Sequence, residues 1–200
     1  MTAKEINLFL SQMRQYALKN FVPIMLEDTE QLLRQLVTER QPKQILEIGT
    51  AIGYSGIIML TASSNATLNT IEMEEQKVVI AKDNFYKTDL LDRVNFFLGD
   101  AKEIVPKLTG TYDFIFMDGP KGQYIEFLPY LLSVLKVGGT LVCDNVLYKG
   151  LVEHQPTARK HLTIARNMKK FLDNITNSST LSTILYRVGD GVSVSEKLQD

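Results

Sequence analysis

The sequence predicts an open α/β sandwich, with seven strands in a mostly parallel sheet, helices on both faces and two further helices in front. Three observations carry this reading. Short apolar runs recur at QILEI (44–48), TLNTIEM (67–73), VNFFL (94–98), YDFIFM (112–117) and TLVC (140–143). Helix-like stretches near residues 53–63, 74–88, 101–109 and 122–136 lie between them, and this alternation is the pattern of strands covered on both faces. Near the end, STILYRV (182–188) and VSVSE (192–196) are joined by Gly189-Asp190-Gly191. That is a hairpin signal, so the last strands are expected to run antiparallel at one edge.

The remaining elements follow from helical spacing. Residues 5–18 place Ile6, Phe9, Leu10, Met13 and Ala17 on one face, and residues 25–40 do the same with Leu32, Leu33, Leu36 and Val37. A further helix is expected near 157–175. No internal repeat, low-complexity segment or Pro/Gly/Ser-rich linker divides the chain, and 200 residues with 44% hydrophobic content can bury one substantial core. A single domain over residues 1–200 is therefore expected, with helices over 1–40 and the α/β core over 44–200.

Composition bounds the function. Lys plus Arg number 22 against 23 Asp plus Glu, a net charge of −1, which excludes a whole-molecule basic field while leaving room for a local patch. The single cysteine, Cys143, cannot form an internal disulfide. The start, MTAKEINLFLSQMRQ, is amphipathic and lacks an apolar signal core, and no apolar run approaches bilayer length. A soluble cytoplasmic protein with no membrane partner is the expectation.

In sheets of this kind ligands bind beyond the carboxyl ends of the strands, where strand order reverses. The first strand ends in LEIGTAIGYSG, whose Gly49 and Gly53 let backbone amides approach a ligand. The spacing is GxxxG and not the GxGxxG of a dinucleotide fingerprint, so a plain strand-to-helix turn is the alternative. Glu47, inside an apolar strand, needs a donor, which a ligand ammonium or the loop's own amides could supply. Glu72 at the second strand end suits the two hydroxyls of a ribose. Asp100, in Gly99-Asp100-Ala101, suits an adenine amino group or the N-cap of the next helix, and one residue can do both.

Asp118, Asp144 and Asn145 converge from the fourth and fifth strand ends. They offer oxygen ligands only, a set that suits Mg2+, with Mn2+ or Ca2+ as substitutes. Asp and Asn are also common turn residues, but two acidic tips on neighbouring strands repel unless a cation lies between them. Lys121 follows Asp118 by three residues. Cys143 is expected to pack against the sheet. His154 and His161 lack a partner at ligand spacing and read as loop and helix-surface residues.

Taken together, ILEIGTAIGYS, IEMEE, GDA, FMDGPKGQY and CDNVLYKGLV resemble the metal-dependent class I S-adenosylmethionine O-methyltransferases of the catechol and caffeoyl-CoA type, in order and approximate spacing. The likeness runs from about Phe21 to VGDGVSVS. It implies a Rossmann-like methyltransferase fold and the cofactor S-adenosylmethionine. By resemblance Met25, Ser55, Glu47, Gly49 and Glu72 line the cofactor site, Asp100 and Ala101 meet the adenine, and Asp118 borders it. Asp118, Asp144 and Asn145 would hold Mg2+, and Lys121 falls where catechol methyltransferases carry a lysine base. A homodimer is the family expectation.

Within the family, NVLYKGLV and NFVPIM are most similar to the bacterial branch that methylates 5-hydroxyuridine at the tRNA anticodon wobble base. A catechol offers two vicinal oxygens, and 5-hydroxyuracil offers a hydroxyl beside the C4 carbonyl, so the chemistry suits both acceptors. Residues 149–170 contain Lys149, Arg159, Lys160, Arg166, Lys169 and Lys170 against one acid, Glu153. A basic rim there suits an RNA backbone and an anticodon loop, so tRNA is the preferred partner. A small phenolic substrate is the rival, and a non-catalytic adenosyl- or RNA-binding protein is the alternative of another class.

Overall fold

The computed structural model describes residues 1–153 and 159–200; His154 lies outside the described residues, as do the side chains of Arg159 and Lys160. Two helices come first, α1 (Ala3–Lys19) and α2 (Glu27–Arg40). Thr2 and Glu5 close a reciprocal capping box on α1, satisfying two otherwise orphaned amides. Then β1 (Gln44–Ile48), α3 (Tyr54–Ala62), β2 (Thr67–Glu72), α4 (Glu75–Lys87), β3 (Val94–Leu98) and the short α5 (Ala101–Ile104) alternate. They are followed by β4 (Tyr112–Met117), α6 (Tyr124–Val134), β5 (Leu135–Cys143), α7 (Arg159–Thr176), β6 (Leu181–Tyr186) and β7 (Val192–Lys197).

The seven strands among the described residues join one sheet in the order β3-β2-β1-β4-β5-β7-β6. The first five strands pair in parallel, while β7 runs antiparallel to both β5 and β6. The expected sandwich with its antiparallel hairpin is thus what forms. Strand residues alternate between two cores. Ile45, Phe114 and Phe116 pack with Leu33, Val37, Ile57 and Phe85 on the face covered by α1 to α4. Leu46, Ile48, Ile115 and Met117 pack with Tyr124, Phe127, Leu131 and Phe171 on the other. The period of two in the strand side chains places successive residues in opposite layers.

Two expectations change in detail. The fifth strand begins at Leu135, five residues before TLVC, with a register shift between Tyr112 and Phe114 on its neighbour. The stretch 101–109 divides into α5 and a 3-10 turn, Val105–Lys107, because Pro106 supplies no amide to continue the helix. Among the described residues no helix is long and apolar enough to cross a membrane.

Helix α3 is pressed so closely on the sheet that only glycine fits at one position. A Cβ on Gly56 would stand 2.6 Å from Phe85 Cζ and 2.8 Å from Leu68 Cδ2. Alanine favours helices over glycine by about 1 kcal/mol, yet Gly56→Ala is expected to destabilise the protein by about 1–3 kcal/mol through overpacking. A melting temperature equal to or above wild type would contradict this packing.

Candidate active site

Strand order reverses between β1 and β4, since β1 pairs with β2 on one side and β4 on the other. The helices after these strands, α3 and α6, cover opposite faces. This leaves a crevice at the strand tips, the usual ligand site of such sheets. Gly49 turns the chain there with φ +103°, and a Cβ on it would lie 2.5 Å from the Asp118 carbonyl oxygen. Glycine is required by both conformation and contact. The tips are stitched in sequence: the Asp118 amide donates to Ile48 O and the Asp144 amide to Met117 O, each at 3.0 Å. Ala51 (φ 45°) and Asn145 (φ 56°) hold left-handed conformations beside the crevice, the kind of backbone strain that gathers at functional sites.

The crevice is a cleft of about 370 Å³. Met25, Leu26 and Lys121 line it, and along the strand order Glu72 at the tip of β2 and Asp144 and Asn145 after β5 flank Gly49 and Asp118. An adjoining cavity of about 190 Å³ shares Gly49, Glu72 and Asp118 and continues to Gly99, Asp100 and Ala101. Of the site residues the sequence indicated, all but Glu47, Gly53 and Ser55 line these two joined cavities. Asp100 caps α5, accepting from the Lys102 amide at 2.9 Å.

Glu47 and Ser55 stand behind the cleft wall. Glu47 is completely buried and accepts from the hydroxyls of Ser55 and, at 2.6 Å, Thr70. Its donors are hydroxyls and not the loop amides the sequence suggested. Burial, reinforced by the charges of Asp118 and Glu72, pushes its carboxyl up to about 7 against the pull of those two hydrogen bonds. Glu72 is held differently: one oxygen accepts from the Ala51 amide at 2.9 Å, the other from the Met73 and Glu74 amides at 2.9 and 3.1 Å. Three backbone donors fix this carboxylate where the glycine turn meets α4.

Lys121 Nζ lies 2.5 Å from Asp118 Oδ1 and 3.3 Å from the Tyr124 hydroxyl. Tyr124 is fully buried, and its hydroxyl lies 3.0 Å from Met117 O and 3.1 Å from Asp144 O. One phenol thus ties the ends of β4 and β5 together beneath the lysine. Asp144 is 1% exposed, and its Oδ1 accepts from the Asn145 amide at 2.6 Å. Burial and then the Asp118 charge push the Asp144 carboxyl up to about 7.

Among the described residues no group of three or more His, Cys, Asp or Glu side chains is arranged to hold a metal. The candidate set is two carboxylates and one amide. It fits a hard divalent cation, because all three side chains offer oxygen and a cation would relieve the enforced proximity of Asp118 and buried Asp144.

Sequence reasoning passed over three contributors. Tyr124 lies three residues past Lys121 within FMDGPKGQY, so helical spacing could have found it. Lys77 also lines the cleft, paired with Glu74 at 2.6 Å, but it looked like any lysine of a solvated helix. Thr70 carried no local signal. His161 lies on α7, half-buried, with its Nδ1 2.7 Å from the Tyr148 hydroxyl. Cys143 packs in the sheet with no exposure, as expected.

A carboxyl held above its ordinary 4.5 binds its proton more tightly when folded. Glu47 therefore contributes stability that is fully present below pH 4.5 and lost as pH rises through about 7. Asp144 adds a contribution of the same sign. Glu47→Gln is expected to flatten the decline in stability across this window, by on the order of 3 kcal/mol at most. Urea titrations at a series of pH values check it, and an unchanged slope would contradict it.

The family model described as O-methyltransferase matches residues 1–198. The chain is 34% identical over 164 residues to a catechol O-methyltransferase from Niastella koreensis, covering 80% of this chain and 72% of that protein. Among solved structures, it is similar to a proposed caffeoyl-CoA O-methyltransferase from Staphylococcus aureus (TM-score 0.87, 30% identity, 94% of this chain and 91% of that one). The O-methyltransferase TomG from Streptomyces achromogenes, solved in complex with S-adenosylmethionine, superposes with TM-score 0.83 at 26% identity, over 96% of this chain and 90% of that one. The match over nearly the whole sequence, together with the strand-end cleft, means that the chain belongs to the O-methyltransferase family.

Proposed function

We propose that the protein transfers the methyl group of S-adenosylmethionine to an acceptor hydroxyl standing beside a second oxygen, and that this acceptor is 5-hydroxyuridine at the wobble position of a tRNA anticodon. The observation that carries the methyl-transfer reading is the cleft that is lined both by Gly49 and Glu72 and by the oxygen set and lysine at Asp118, Lys121, Asp144 and Asn145.

Glu72, its position fixed by three amides, binds the ribose hydroxyls. Asp100 and Ala101 meet the adenine in the adjoining cavity, while Met25 and Gly49 enclose the methionine end. Glu47 and Ser55 act from behind, their shared hydrogen bond fixing the glycine turn. Asp118, Asp144 and Asn145 would hold Mg2+, with Mn2+ or Ca2+ able to substitute. Such a cation, when bound, lowers the pKa of the acceptor hydroxyl and orients its two oxygens. Lys121 takes the hydroxyl proton on Nζ as the neutral amine, which requires it first to lose its ammonium proton to solvent and leave its pair with Asp118. Holding donor methyl and acceptor oxygen in line supplies much of the acceleration.

Charge beside the cleft distinguishes the two acceptors. Asn167 Nδ2 on α7 donates to Gly122 O at 2.9 Å, so α7 packs against the turn that bears Lys121. Arg166, Lys169 and Lys170 of the same helix, and Lys149 in the loop after Asn145, are exposed. A basic flank beside the acceptor end suits a nucleic-acid backbone. The likeness to a catechol O-methyltransferase favours a second reading, a small catechol or caffeoyl-type phenol, which needs no such flank. A non-catalytic adenosyl- or RNA-binding role leaves the grouping of Asp118, Lys121, Asp144 and Asn145 without a purpose. Family resemblance extends the proposal to a homodimer, and the lone cysteine to a reducing, cytoplasmic setting.

The test supplies purified protein with labelled S-adenosylmethionine, Mg2+ and either 5-hydroxyuridine-containing tRNA or a catechol. Preferential methylation of the tRNA, weakening as salt rises, is expected; transfer to the catechol alone would install the phenol reading. In the same assay Asp144→Ala is expected to lose turnover by about 100-fold or more while cofactor binding stays measurable. Full turnover in that variant would contradict the role given to Asp144.

A further inference from the structure

Arg14 of α1 reaches three elements at once. Its guanidinium donates to the Met25 carbonyl at 3.2 Å, to Glu30 Oε2 of α2 at 2.9 Å and to the Tyr54 hydroxyl at 3.0 Å. Tyr54 donates its own proton to the same Glu30 oxygen at 2.6 Å, and Arg34 occupies the other oxygen at 3.1 Å. The guanidinium also lies over the Tyr54 ring, 5.2 Å from its centroid. Glu30 is therefore the hub of a half-buried network in which a carboxylate, two arginines and a phenol satisfy one another.

None of Arg14, Glu30 or Tyr54 lines the cleft, yet what they hold does. Met25 and Leu26 form a wall of the cleft, and they belong to the stretch joining α1 to α2. Tyr54 is the first residue of α3, between Gly53 of the glycine turn and Ser55. Arg14 links these two sides, tying the Met25 carbonyl to the start of α3 through one side chain.

We propose that Arg14, Glu30 and Tyr54 are positioning residues for the methyl donor, a clamp that holds the 20–26 segment against the glycine turn and sets the width of the cofactor end of the cleft. This rests on the reading of that end as the S-adenosylmethionine site. The clamp acts on donor affinity and not on the chemical step, because its nearest effect is on Met25 and not on Asp118, Lys121, Asp144 or Asn145. Tyr54 is the most informative position: its hydroxyl gives one hydrogen bond and receives another, while its ring is a buried core group that phenylalanine can replace.

The experiment compares the full-length wild type with Tyr54→Phe and Arg14→Lys. Titration calorimetry gives the dissociation constant for S-adenosylmethionine, steady-state assays give kcat and both KM values, and melting gives stability. Arg14→Lys keeps the charge facing Glu30 but cannot span three acceptors. Both variants are expected to weaken donor binding and raise its KM by about fivefold, the size of one net hydrogen bond, with kcat and acceptor KM near wild type. Donor affinity unchanged in both variants would overturn the clamp. So would a parallel loss of kcat, both affinities and melting temperature, which is the signature of general destabilisation. A wild-type protein that fails to bind S-adenosylmethionine at all would instead overturn the cofactor reading, and the clamp with it.

Discussion

The site is organised around the near-contact between the backbone of Gly49 and the carbonyl of Asp118. A methyl group on Gly49 would stand 2.5 Å from that oxygen, so the ends of β1 and β4 close on each other to a distance only glycine permits. From this approach the other positions follow in steps. Asp118 is anchored to Ile48 and Asp144 to Met117 by backbone hydrogen bonds, which fixes two acidic side chains on successive strand tips. The turn after Asp118 then returns Lys121 over the same spot, where the buried Tyr124 hydroxyl steadies it. The crevice that every open sheet of this order leaves at its switch point is here shaped by one close contact.

That convergence gathers negative charge, and each carboxylate is compensated in its own way. Hydroxyls serve Glu47, three amides serve Glu72, a lysine pairs with Asp118, and a single backbone amide with its side chain attends Asp144. Burial and then the Asp118 charge leave Glu47 and Asp144 with carboxyls raised to about 7. The site is short of positive charge in a region where solvent screens weakly. A donor carrying a sulfonium and an ammonium has the charge this arrangement lacks.

Much of this was legible in the sequence because the strands are continuous apolar runs bounded by turn residues. QILEI, VNFFL and YDFIFM became β1, β3 and β4 with unchanged bounds, and the rim residues Gly49, Glu72, Asp100, Asp118, Asp144 and Asn145 followed from strand ends alone. The start of β5 was hidden because Lys136, Val137 and Gly138 are exposed and glycine reads as a turn. Glu47 showed that a donor was needed but not which, since Ser55 and Thr70 are 8 and 23 residues away. The clamp was invisible for the same reason: Arg14 meets partners 11, 16 and 40 residues distant, and no local pattern encodes such meetings.

The central claim is that the cleft at Gly49 and Glu72 holds the methyl donor, and Glu72 offers the most direct test. Its carboxylate, fixed by three amides, is assigned to the two ribose hydroxyls, whose hydrogen bonds to a charged acceptor are worth about 1.5–3 kcal/mol each. Calorimetric titration of S-adenosylmethionine into Glu72→Ala should show binding weaker by about 100-fold or more, in a protein that melts as one cooperative unit. Wild-type affinity in that variant would place the donor elsewhere and contradict the account.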